Sequence, residues 1–127
     1  MDAARLAAAR RYHAERERRR CRLREELRRQ RLVRVEEAVA RLAPAHPAID
    51  AVYVFGSLTR PGDFRETSDI DLAVDCGDLA AESRFWRALE EELELPVDMR
   101  PRRGVVAQAI ERSGEPLYER KAALARA

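Results

Sequence analysis

The chain has 127 residues, of which 38% are charged and 6% aromatic, with two cysteines, Cys21 and Cys76. That suits one small domain with a modest, mostly aliphatic core and leaves no room for a second, recognition domain. Nothing in it suggests a disulfide framework or a cysteine metal knuckle. The formal net charge of +2 hides an uneven split. Residues 1–34 hold 13 arginines against five acidic residues, whereas residues 35–127 hold 12 basic residues against 18 acidic ones, so a basic arm is joined to an acidic body.

The basic N-terminus lacks the apolar region of a signal peptide, and no stretch approaches the ~18 apolar residues of a membrane span. The expected setting is the reducing cytoplasm, without a membrane partner.

Asp2 to Leu42 contains neither Gly nor Pro and is rich in Ala, Arg, Glu and Leu. The composition predicts one helix of about 40 residues, ~60 Å long at 1.5 Å per residue. Leu32, Val35, Val39 and Leu42 step by helical intervals and form a stripe fit to pack on a sheet. Upstream the apolar residues are sparse, so the first half of the helix is expected to project. Its arginines leave three readings open: a solvated extension, a surface for a protein partner or a second copy of the chain, and a contact for nucleic-acid phosphates. Helical arginine suits phosphate, but no aromatic residues interleave for base stacking.

Pro44 and Pro47 end the helix. Val52-Tyr53-Val54-Phe55 reads as a buried strand, within a strand from about Ile49 to Phe55. Gly56-Ser57 follows as a tight turn, where glycine allows close backbone approach and the Ser57 hydroxyl can hold a phosphate. Arg60 lies one turn on and can add positive charge. The loop beyond it is rich in Gly, Pro and charge; Asp63, Arg65 and Glu66 read as exposed. Asp69-Ile70-Asp71-Leu72-Ala73-Val74-Asp75 alternates like a second strand, which puts Asp69 and Asp71 on one face and Ile70 and Leu72 on the other. Two adjacent carboxylates raise each other's pKa, and a bound divalent cation relieves the repulsion. Oxygen-only ligands suit Mg²⁺ or Mn²⁺. Asp75 continues the alternation as a structural residue.

Asp78 is a good N-cap for a helix from about Leu79 to Glu94, with Phe85, Trp86, Leu89 and Leu93 on one face and Glu90, Glu91, Glu92 and Glu94 outward. Pro96 closes it. Val97-Asp98-Met99 begins a third strand, in which the Asp98 carboxylate points away from its apolar neighbours. Val105 to Ser113 reads as a helix, Gly114-Glu115-Pro116 as its break, and Leu117-Tyr118 as a short packing element. The tail beyond Glu119 reads as a frayed helix.

The Gly-Ser turn, Ser68-Asp69-Ile70-Asp71-Leu72 and the third acidic strand together resemble the minimal nucleotidyltransferase domains of the DNA polymerase β superfamily. The resemblance runs from about Val39 to Arg120. Eleven residues separate Ser57 from Asp69 where the family usually has ten; the extra one falls in the loop, leaving the acidic pair intact and the placement of Arg60 open. The implied fold is α/β (α+β): a small mixed β-sheet flanked by helices, divided into a basic helix (1–43), a nucleotidyltransferase domain (44–120) and a tail (121–127).

The implied site has Asp69, Asp71 and Asp98 as catalytic carboxylates and ligands of two Mg²⁺ ions, with Mn²⁺ as an alternative. Gly56, Ser57 and Arg60 bind the phosphates of a nucleoside triphosphate, with ATP the expected substrate. Asp98 is either the general base or a ligand of the ion that activates the acceptor hydroxyl. The resemblance also implies a partner. Minimal nucleotidyltransferases are often encoded beside a HEPN ribonuclease, as antitoxins that add AMP to the toxin or bind it. The first expectation is therefore a nucleotidyltransferase acting on a HEPN-type toxin. The alternatives are a non-catalytic module that masks a partner, and an enzyme acting on RNA or a small molecule.

Overall fold

A single helix of 40 residues, α1 (Ala3–Leu42), dominates the computed structural model, which describes residues 2–120. Asp2 caps it by accepting from the Arg5 N–H at 2.7 Å. Two different faces follow from the sequence. Residues 10–23 are all exposed, whereas Val35, Ala38 and Val39 are buried in the core, with Leu27, Leu32 and Leu42 packed at its margin. The apolar stripe thus seats the second half of α1, and the first half projects for want of anything to bury.

After a 3-10 turn at Ala43–Ala45 come β1 (Ile49–Phe55), a second 3-10 turn at Gly56–Thr59, β2 (Ile70–Cys76), α2 (Leu79–Leu93), β3 (Val97–Pro101), α3 (Gly104–Ser113) and β4 (Glu115–Glu119). The four strands form one sheet in the order β3-β2-β1-β4. β1 runs antiparallel to both β2 and β4, while β2 and β3 are parallel and joined through α2. The sheet is therefore mixed, as expected.

Strand alternation sorts the side chains. Val52, Val54, Ile70, Leu72, Val74, Val97 and Met99 belong to the buried cluster with Val35 and Val39 of α1 and Phe85, Leu89 and Leu93 of α2. Arg34 Nη2 donates to the Leu93 carbonyl at 2.7 Å, and Arg41 pairs with Glu92, so α1 is also tied to α2. The intervening positions, Tyr53, Phe55, Asp71, Asp75, Asp98 and Arg100, alternate onto the opposite face.

Four details depart from the sequence reading. Asp69 lies one residue before β2 rather than in it. Glu90 does not simply face outward: its Oε2 accepts from the Val97 N–H at 2.9 Å, while Trp86 Nε1 donates to the Val97 carbonyl at 2.7 Å. Both groups of Val97 are thereby satisfied where β3 begins. Glu115 and Pro116 belong to β4; a proline is tolerated there because β4 is an edge strand. In the loop after the second 3-10 turn, Phe64 is 1% exposed and belongs to the core. The expected tail helix at 121–127 lies outside the described residues.

Candidate active site

Asp71 on β2 stands opposite Asp98 on β3 in the parallel register and opposite Phe55 on β1 in the antiparallel one. Gly56 follows Phe55 directly, so the turn it opens folds against Asp71. At φ +76° this residue is in the region that favours glycine. A Cβ at position 56 would overlap Asp71 Oδ2 and lie 3.1 Å from its Cγ. The turn itself is braced: Thr59 Oγ1 donates to the Gly56 carbonyl at 2.7 Å, and the Arg60 N–H donates to the Ser57 carbonyl at 3.1 Å. Leu58 is fully buried beneath it. Ser57 is half-buried at the rim of the same turn.

The charges of Asp98 and Asp69 both reach Asp71. Burial pushes the Asp71 carboxyl above its ordinary range, and the charges of Asp98 and Asp69 add to the shift, against Arg100 and Arg60. Asp69 itself is exposed at the mouth of β2. The structure therefore gathers Gly56, Ser57, Asp71 and Asp98, with Asp69 within electrostatic range. Arg60 is nearby, but its Nε donates to Asp63 Oδ2 at 2.8 Å. Asp75, read as structural, pairs with Arg102 through bonds of 3.0 and 2.8 Å, and Arg102 lies over the Tyr53 ring.

Two participants were not identified from the sequence. Arg100, two residues after Asp98 and on the same face of β3, holds both Asp98 oxygens from Nε at 3.3 Å. The signal available was its i+2 spacing on a strand. Phe64 pins the loop between the two halves of the site into the core, with Arg31 stacked 5.8 Å from its ring centre. An isolated aromatic in an otherwise polar loop was the mark of that anchor.

The residues fit a hard divalent cation in donor type and in charge. All three side chains offer oxygen, and Asp71 carries an unfavourable charge environment that a cation would reverse. Among the described residues no three acidic, His or Cys side chains converge as a preformed cage, and Asp98 is engaged by Arg100. Asp69 and Asp71 would hold the ion, with Asp98 joining once Arg100 lets go.

Residues 37–123 match the family model described as polymerase beta, nucleotidyltransferase. The chain belongs to the polymerase β nucleotidyltransferase family. Solved structures of this kind agree. A protein described as a minimal nucleotidyltransferase is 35% identical, with a TM-score of 0.53, over 72% of this chain and 93% of that one. A toxin–antitoxin solved with AMP-PNP is 26% identical, with a TM-score of 0.56, over 68% of this chain and 75% of that one. A tri-AMPylated Shewanella oneidensis HEPN toxin in complex with its MNT antitoxin gives 25% identity and a TM-score of 0.50, over 69% of this chain and 72% of that chain. Comparison with curated proteins finds no match. No helix among the described residues of this chain is long and apolar enough to cross a membrane.

Proposed function

We propose that this chain is a metal-dependent nucleotidyltransferase that moves AMP from ATP to a hydroxyl of a HEPN-type toxin and so acts as its antitoxin. The observation that carries the reading is the placement of Asp71 beside Asp98 on adjoining strands, with a glycine-serine turn pressed against the Asp71 carboxylate. The similar complexes add support for the partner, since one contains a nucleotide analogue and another an AMPylated HEPN toxin.

The chain's own residues would divide the work. Ser57 and its turn orient the phosphate tail, and Arg60, released from Asp63, adds a positive charge to it. Asp98 accepts the proton of the attacking hydroxyl. The acceptor oxygen forms a bond to the α-phosphorus as the bond to the pyrophosphate oxygen breaks, and no covalent intermediate with the protein is required. Asp69 and Asp71 would hold Mg²⁺, which would supply neutralisation of the phosphate charge.

A second reading has its own observation. Arg100 already engages Asp98, which suits a chain that masks its partner without turnover. Incubation with α-labelled ATP, Mg²⁺ and a HEPN-type toxin separates the two. Label on the toxin, lost in the Asp69→Asn plus Asp71→Asn double variant, is the expected result. Toxin neutralised without label selects masking, and label only on RNA or a small molecule moves the acceptor elsewhere.

A further inference from the structure

The matched family region begins at residue 37, yet a side chain nine residues earlier reaches the phosphate-binding turn. Arg28 of α1 is only 12% exposed. Its Nη1 donates to the Leu58 carbonyl at 2.9 Å, across 30 residues of sequence. The rest of its guanidinium is fixed by Glu25, through Nε to Oε2 at 2.9 Å and Nη2 to Oε1 at 2.7 Å. This is a two-pronged carboxylate grip that leaves one outward N–H pair with a set direction.

The contact completes a pattern in the turn. The carbonyls of Gly56, Ser57 and Leu58 each accept a hydrogen bond: from the Thr59 hydroxyl, the Arg60 N–H and Arg28 respectively. Three successive carbonyls are thereby held, and the orientation of the peptide planes between them is set. The first two bonds are local to the turn. The third is the one that ties the turn to a different element, and it falls on the residue next to Ser57.

We propose that Arg28 is a positioning residue: it locks the Gly56–Thr59 turn so that Ser57 is presented to the phosphate tail of a nucleoside triphosphate. This rests on the proposed nucleotidyltransferase reading. It also makes the basic helix part of the nucleotide site rather than an appendage to it. The role requires arginine, because a lysine ammonium cannot grip Glu25 through two parallel bonds and reach the Leu58 carbonyl with a third.

The test compares the full-length wild-type chain with Arg28→Lys and Arg28→Met. Binding of AMP-PNP with Mg²⁺ is measured by calorimetry, the fold is checked by circular dichroism and thermal unfolding, and amide hydrogen exchange is followed in residues 56–60. Both variants are expected to remain folded, to exchange faster in that segment, and to bind the nucleotide about tenfold more weakly. Glu25→Gln, which leaves Arg28 in place but weakens its grip, should fall between them and wild type. Wild-type binding that Arg28→Lys matches would overturn the inference while leaving the proposed function intact, since charge alone would then suffice. Unchanged exchange in residues 56–60 in both variants would overturn it too. A wild-type chain that binds no AMP-PNP sinks the proposed function and takes this inference with it.

Discussion

Gly56 and Asp71 occupy the same small volume: a methyl group on the one would overlap the carboxylate of the other. The backbone of the turn thus approaches the carboxylate as closely as the absence of a side chain permits. Gly56→Ala is expected to displace Asp71 and to abolish nucleotidyl transfer. The positive φ adds a stability cost of about 1 kcal/mol. Denaturant unfolding and a labelled-ATP assay on the same preparation check both halves. A variant of wild-type activity would refute the role given to this contact.

The raised pKa of Asp71 has a signed consequence. The folded state binds a proton at this carboxyl more readily than the unfolded state does, so stability falls as pH rises from the ordinary value of 3.8 through the raised folded one. Asp71→Asn removes the burial and repulsion penalties. It should make the protein more stable than wild type at neutral pH, by a fraction of a kcal/mol because the group is partly solvated, and flatten the slope at acid pH. Urea unfolding between pH 4 and pH 8 reads both effects. An equal or lower neutral-pH stability of the variant would contradict the electrostatic account of the site.

Arg100 offers its charge to the oxygens that a cation would use. Arg100→Gln is expected to tighten Mn²⁺ binding several-fold in the absence of nucleotide. Arg102→Gln, which removes the same charge from a pair with Asp75, should leave that binding close to wild type. Titration followed by electron paramagnetic resonance distinguishes them. Equal effects from both variants would mean that general charge, not the grip on Asp98, governs entry of the ion.

Phe64 predicts an energetic anchor inside a polar loop. Phe64→Ala should cost about 3 kcal/mol, the low end for a buried aromatic truncated to alanine. It should also quicken proteolysis between Arg60 and Ser68. Urea midpoints and limited trypsin digestion measure the two. A cost below about 0.5 kcal/mol, the range of an ordinary surface change, would show that the loop is held by other means.

What was legible in the sequence follows from periodicity. The stripe Leu32, Val35, Val39 and Leu42, the alternation after Asp69, and the Phe85–Leu89–Leu93 face each announce an element and its buried side, because one residue type recurs at one spacing. Asp71 and Asp98 could be placed on the polar face by the same count. What could not be read was relational. The grip of Arg100 on Asp98, the capture of Glu90 by the Val97 amide and the reach of Arg28 to Leu58 depend on side-chain paths between elements, and no local pattern encodes them. The descent of Phe64 into the core was hidden by its polar neighbours, and β4 by a proline that reads as a breaker unless the strand is known to be an edge.

That edge has a counterpart. The outermost strands, β3 and β4, are each five residues long and each contains a proline, Pro101 and Pro116. Charged side chains stand beside them, Arg100 on one and Glu115 and Glu119 on the other. A missing N–H and an unburied charge at each rim are the means by which open sheets refuse a further strand. Both borders of this four-stranded sheet are therefore guarded against edge-to-edge polymerisation.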